Sequence, residues 1–319
     1  MEEPFGHAQP MVKYTLLGHP DSGVARGYEF VVCGDAWSPA SRAPYARTVT
    51  ASPAELLDIA RTAALAAAEL VRAKRAVGVD VAGLKSSPVD VVTEADKASE
   101  DLIRGMLAEA RPGDGFFGEE SGAGDASTTG ITWVVDPIDG TVNYLYDIPA
   151  YAISIAAVEG GTDPAAWTAL AGIVVNPATG EVFTATRGGG AFLGDRRLQV
   201  AGGKALAVSL VGTGFGYTAE RRAEQAAVVA KLLPAVRDIR RIGSAALDLC
   251  AVAAGRLDAY YERGLHEWDH AAGALIAAEA GARVAGFGGA AAGEAMTIAA
   301  EPGLFAQLEP LLIELGAAG

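Results

Sequence analysis

The apolar run Ile131-Thr132-Trp133-Val134-Val135 ends in Asp136-Pro137-Ile138-Asp139-Gly140-Thr141. A buried strand that stops at two carboxylates so close together concentrates negative charge, and a low-dielectric setting enlarges the repulsion. Something must offset it. Pro137 fixes φ and predicts a sharp exit from the strand. Gly140 lets the backbone come close to a ligand. The turn then aims the Asp136 and Asp139 carboxylates and the Ile138 carbonyl at one point. Oxygen-only ligation of this type suits Mg²⁺ and related hard cations. A helix is predicted to begin near Gly140, and the free N–H groups at its start form a seat for phosphate.

Three other acidic segments lie far apart in the chain. Asp90-Val91-Val92-Thr93-Glu94-Ala95-Asp96 reads as a strand followed by a capped helix, with Asp96 either closing the cap or serving a site. Gly118-Glu119-Glu120-Ser121 follows the apolar pair Phe116-Phe117 and reads as a solvated turn or as ligands at a strand end. Trp268-Asp269 opens an apolar helix, where an aspartate N-cap is compatible with ligation. Glu262 ends the strand Ala259-Tyr260-Tyr261 shortly before it.

Around these segments the chain alternates strands and helices. Residues 1–48 are rich in Gly, Pro, Ser and His and read as a tail, with a short strand pair around Tyr28–Cys33 as the one element in it. Ser52-Pro53-Ala54-Glu55 starts a helix running to about Arg75. Val77–Pro88 reads as a mobile loop and Val89–Thr93 as a short strand. The Thr93 helix ends at Pro112-Gly113. Tyr151–Val158, Trp167–Val175, Glu181–Arg187 and Gly190–Leu193 form an antiparallel meander between Gly- and Pro-containing turns. Beyond Gly203 strands (Val208–Gly212, Asp258–Tyr261, Met296–Ala299) alternate with helices (Ala219–Ala235, Gly243–Ala254, Trp268–Ala280, Pro302–Leu315), which implies a mixed α/β second half. The expected organisation is a 1–48 tail, a 49–202 α+β metal-binding subdomain and a 203–319 α/β subdomain that completes the site.

A net charge of −14 argues against nucleic acid as a partner, yet cations between carboxylates and phosphate would let an acidic chain bind an anion. No apolar run approaches the roughly 18 residues of a membrane helix. Two cysteines, Cys33 and Cys250, do not make a disulfide framework, so a cytoplasmic location is expected.

Taken together, Lys85 with "DVVTEAD", then "GEES", "DPIDGTVNY", and finally "WDHAAGALIAAEAGA" resemble the inositol monophosphatase family over about residues 52–315. The segment "RIGSAALDLCAVAAGRLDAYYE" is similar to that family's inositol-side region. His270 departs from the neutral residue expected after the Trp-Asp pair. The resemblance implies a layered αβαβα sugar-phosphatase sandwich, Mg²⁺-dependent hydrolysis of myo-inositol monophosphate, sensitivity to Li⁺ and a homodimer. It implies one Mg²⁺ on Glu119, Asp136 and the Ile138 carbonyl, a second on Asp136, Asp139 and Asp269, and a weaker third near Glu119. Thr141, oriented by Asp96, would position the attacking water, with Lys85 helping to order it and Asp90 as support. Ile138, Asp139, Gly140, Thr141, Gly243, Ser244, Ala245, Glu262 and Asp269 would face the substrate. The competing expectations are a histidinol-phosphate or other sugar-phosphate phosphatase on the same site, and a regulatory binding protein with a vestigial metal site.

Overall fold

The computed structural model describes residues 51–79, 81–84, 91–124 and 126–318. The expected tail, the strand pair around Tyr28–Cys33, Lys85 and Asp90 lie outside the described residues.

Helix α1 (Pro53–Val77) starts as its sequence dictates: the Ser52 hydroxyl accepts the Glu55 N–H, and the Glu55 carboxylate accepts the Ser52 N–H at 2.7 Å. The stretch after it is not all loop. Strand β1 (Val81–Leu84) pairs antiparallel with β2 (Val91–Thr93), because backbone groups leaving a helix still need partners and a short hairpin supplies them. Thr93 then caps α2 (Glu94–Ala110). The chain continues through β3 (Gly115–Gly118), β4 (Gly122–Ala123), β5 (Ile131–Asp139), α3 (Thr141–Leu145), β6 (Ala152–Glu159), β7 (Thr168–Asn176), β8 (Glu181–Thr186), β9 (Gly190–Leu193) and β10 (Arg196–Arg197). The later part holds β11 (Leu210–Thr213), α4 (Ala219–Leu232), β12 (Asp238–Arg240), α5 (Ala245–Ala253), β13 (Ala259–Glu262), α6 (Glu267–Glu279), β14 (Arg283–Ala285), β15 (Thr297–Ala300) and α7 (Pro302–Glu314). Helix α4 stops short of the expected Ala235; Leu233–Ala235 is a tighter 3-10 turn, where Pro234 has no N–H to continue the α ladder.

Two sheets result. The larger has the order β10-β9-β8-β7-β6-β5-β3-β4, and only β3 and β5 run parallel. The smaller has the order β12-β11-β13-β15-β14, with β11 parallel to both of its neighbours. Side chains alternate across the larger sheet. Trp133 and Val135 of β5 join Leu56, Ala64, Ile103 and Leu107 of α1 and α2. Val134 joins Ala246 and Cys250 of α5 and Ile276 of α6 on the opposite face. The strand is therefore buried on both sides, which explains its unbroken apolar run.

Helices α5 and α6 also bury a second face, through Leu249, Val252 and Ala277, on Tyr260 and Ala299 of the smaller sheet. Val228, Leu232, Leu304 and Phe305 of α4 and α7 cover that sheet's outer side. The layers run helix, sheet, helix, sheet, helix. A helix layer that must serve two sheets needs small side chains. Gly273 of α6 shows this: a β-carbon there would sit 2.9 Å from Leu249 of α5. Among the described residues no helix is long and apolar enough to cross a membrane.

Candidate active site

The two aspartates of β5 reach one point through a bulge rather than through the expected sharp exit. Asp136 pairs with Ser154 and Asp139 with Ala152, so three steps along β5 match two along β6. In a regular strand residues three apart point to opposite faces. The one extra residue cancels that alternation and sends Asp136 and Asp139 to the same side. Pro137 sits inside the bulge, where its missing N–H breaks no ladder bond. The Asp136 carboxylate accepts the Ile138 N–H at 3.0 Å, which holds the bulge in shape. Gly140 follows with φ +94°; a β-carbon there would lie 3.0 Å from both the Ala150 and the Gly243 carbonyl oxygens.

Asp96 closes the cap and also reaches Thr141. Its Oδ2 closes the α2 cap, accepting the Thr93 N–H at 2.8 Å and the Thr93 hydroxyl at 2.5 Å. Its Oδ1 lies 3.0 Å from the Thr141 hydroxyl, which also lies 3.1 Å from the Ile138 carbonyl oxygen. All of these groups are buried. A hydroxyl has one proton; when Thr141 gives it to Asp96, its lone pairs are left to accept one from a third group.

Glu119 stands just past β3. Its N–H donates to Val135 O at 3.1 Å, and the next N–H, that of Glu120, donates to the buried Glu100 carboxylate at 2.8 Å. These bonds bring the turn beside the end of β5. From the other half of the molecule come Ser244, Glu262 and Asp269. Asp139 Oδ2 accepts the Ser244 hydroxyl at 2.6 Å and the Ala246 N–H at 2.7 Å, and its Oδ1 accepts the Ala245 N–H at 3.3 Å. Asp269 is the third residue of α6, not its N-cap; its carboxylate reaches back to the His266 N–H at 2.7 Å. A carboxylate at that place accepts an otherwise orphaned backbone donor just as a cap does. Glu262 accepts the Tyr260 hydroxyl at 2.5 Å.

Glu119, Asp136, Ile138, Asp139, Gly140, Thr141, Gly243, Ser244, Ala245, Glu262 and Asp269 all line one cavity of about 480 Å³. Asp96 stands behind Thr141. Negative charge is crowded there. Burial pushes the Asp139 carboxyl up to about 6, outweighing the hydrogen bonds from Ser244, Ala246 and Ala245 and the pull of Arg241. Burial likewise lifts Glu262 to about 7 despite the Tyr260 hydroxyl and Arg241. Asp269 is held well above the carboxylate range by burial, and then by Asp139, Glu119 and Glu262.

Among the described residues, no three Asp, Glu, His or Cys side chains converge tightly enough to hold an ion as they stand. Asp139 is drawn towards the start of α5 and Asp269 towards its own helix cap, and each would turn slightly inward to share a ligand. The donor set nevertheless fits a hard divalent cation: it is all oxygen, it lines one cavity, and its mutual repulsion is what such a charge relieves.

That repulsion gives a pH signature. The folded-state value of Asp139, about 6, lies above its ordinary 3.8. The folded protein therefore holds a proton that the unfolded chain has released between these values, so this group's contribution to stability falls as pH rises through that window. Cation binding requires the ionised carboxylate and removes the penalty. A divalent cation is therefore expected to raise Tm more at about pH 7.5 than at about pH 5.5. Equal increments in a thermal-shift titration would contradict the ligand assignment.

Three neighbours carried no assigned role in the sequence pattern. Arg241 lines the cavity, and its charge lowers Asp139, Glu262 and Asp248. Asp248 is buried on α5 and held well above the carboxylate range by burial and by Glu262 and Asp139. Tyr260 anchors Glu262. Asp248 had a visible signal, a carboxylate inside the otherwise apolar run Ala245-Ala246-Leu247-Asp248-Leu249-Cys250. Arg241 had none beyond its place at the head of the family-like segment "RIGSAALDLCAVAAGRLDAYYE".

Known proteins are similar to this chain in sequence and in fold. The sequence profile of the inositol monophosphatase family matches residues 52–314. The inositol-1-monophosphatase SuhB of Mycobacterium tuberculosis is 52% identical over 234 residues, spanning 70% of this chain and 78% of that protein. The solved structure of Mycobacterium tuberculosis SuhB superposes with a TM-score of 0.70 at 45% identity, covering 84% of this chain and 99% of that one. The extragenic suppressor protein suhB of Bartonella henselae superposes with a TM-score of 0.73 at 34% identity, over 81% and 98% of the two chains. Members of the matched family are metal-dependent. With the layered fold, the bulged Asp136–Asp139 strand and a match over most of its length, the chain belongs to the inositol monophosphatase family.

Proposed function

We propose that this chain hydrolyses a myo-inositol monophosphate to myo-inositol and inorganic phosphate. The observation that carries the reading is the buried Thr141–Asp96 contact at 3.0 Å on the wall of a carboxylate-lined cavity. A buried carboxylate aimed at a hydroxyl that faces the cavity is a device for taking a proton from an attacking water. Glu119, Asp136, the Ile138 carbonyl, Asp139 and Asp269 would hold Mg²⁺, two ions with Asp136 shared and a weaker third near Glu119. Bound there, Mg²⁺ supplies a lowered water pKa and neutralises charge on the phosphate and the leaving oxygen.

The residues of the chain do the rest. Thr141 accepts a proton of the water while donating its own to Asp96, which fixes the direction of attack. The backbone of Gly140 and Thr141 faces the phosphate. Glu262, held by Tyr260, accepts ring hydroxyls, and Gly243, Ser244 and Ala245 offer a low wall that a ring can approach. The expected role of Lys85 in ordering the water belongs to this proposal and falls outside the described residues. A homodimer is also proposed, to be read by sedimentation.

The test is Mg²⁺-dependent phosphate release from inositol 1-phosphate, L-histidinol phosphate and fructose 1,6-bisphosphate in parallel. Inositol 1-phosphate is expected to give the highest kcat/KM. A preference of about tenfold or more for histidinol phosphate would overturn the substrate. No turnover of any of the three would favour the regulatory binding protein instead.

A further inference from the structure

We propose that Asn143 is a positioning residue for Asp139: its side-chain amide fastens the turn that enters α5, and that turn holds the Asp139 carboxylate. The proposal rests on the reading of Asp139 as a ligand of metal and substrate.

Asn143 lies in α3 and is buried. Its Nδ2 donates to the Ala150 carbonyl at 2.7 Å and to the Ile242 carbonyl at 2.9 Å, so both amide protons are used. The orientation of the amide is decided by chemistry: turned over, its oxygen would face two carbonyl oxygens. The second of these bonds spans 99 residues of sequence and joins the β5–α3 corner to the segment before α5.

Immediately beyond Ile242 the chain passes through Gly243 at φ +94° to Ser244, whose hydroxyl and the following amides take the Asp139 carboxylate. The approach is close enough that a β-carbon on Gly140 would touch both the Ala150 and the Gly243 carbonyls at 3.0 Å. Three carbonyl-bearing segments, at 140, 150 and 242–243, thus meet at one spot, and Asn143 supplies the donor that pairs the oxygens of two half-buried residues, Ala150 and Ile242. Without it those oxygens lose that donor and the turn is no longer tied to α3. Asp139 would move with it, and small displacements of a ligand are costly in rate.

A residue that only stabilised the 146–150 loop would lower Tm without being coupled to Ser244. The experiment separates the two cases. Asn143→Leu removes the donors at nearly constant size and without adding charge; Ser244→Ala removes the hydroxyl bond to Asp139. Both single variants and the double variant are assayed for kcat/KM on inositol 1-phosphate. The Ala245 and Ala246 amides are followed by hydrogen exchange in metal-free protein.

Each single change is expected to lower kcat/KM about tenfold or more, with the double close to the worse single rather than to their product. In Asn143→Leu the Ala246 amide is expected to exchange about tenfold faster or more. Multiplicative losses together with unchanged Ala246 protection would overturn the proposal. Should Asn143→Leu not fold, Asn143→Ala carries the same measurements. If the wild-type protein released no phosphate at all, the function reading would fail, and the exchange measurement would still decide the role of Asn143.

Discussion

Asp136→Asn is expected to leave a folded protein that releases phosphate at least about 10³-fold more slowly than the wild type. The change conserves size, and the Asn carbonyl oxygen can still accept the Ile138 N–H that shapes the β5 bulge. What disappears is a full negative charge at the residue proposed to be shared by two cations. The other carboxylates have tasks of their own: Asp139 is held by Ser244 and Ala246, and Asp269 by His266. The fold has no need of that charge, because the strand is held by its ladder and by apolar contacts on both faces. Circular dichroism therefore serves as a control and is expected to match the wild type, and the metal-free Tm is expected to be no lower, because a charge has left a crowded cluster. Wild-type turnover in this variant would remove Asp136 from the ligand set and with it the two-cation reading.

Thr141→Val is the second large effect, a fall in kcat of about 10²–10⁴-fold with KM little changed. Valine fills the same space, so the geometry of the site persists. Asp96 keeps its two bonds from Thr93 and stays in place. The loss is confined to a hydroxyl that accepts from one side and donates to the other. One buried hydrogen bond is worth only about 1 kcal/mol of stability, far less than the catalytic effect. A kcat within about threefold of wild type would show that the water is oriented by another group.

Much of this site was legible in the sequence because its chemistry is local. Ser52 with Glu55, and Thr93 with Asp96, announce two helix starts, and the structure builds both caps from those atoms. The alternating and apolar runs between residues 151 and 193 announce a meander, and β6 to β9 pair in that order. The acidic segments around Glu119, Asp136 and Asp269 were expected to share one site, and all three line one cavity. Less legible were the short strands β1, β12 and β14. A strand of three or four residues has too few side chains to show a period and forms because a neighbouring segment, distant or short itself, offers it hydrogen bonds.

By itself the sequence determined which residues carry charge, where helices start and which runs are apolar enough to be buried, because each of these is written within a few neighbouring residues. Only the tertiary structure decided that a one-residue bulge turns Asp136 and Asp139 to the same side. It alone placed α5 and α6 between two sheets. It also brought Ser244, Arg241 and Glu262 to the Asp139 carboxylate, more than a hundred positions away in the chain, and Asn143 to the Ile242 carbonyl. The reason is physical: register, and contact between distant segments, depend on which apolar faces exclude water together, a property of the folded whole rather than of any stretch of chain.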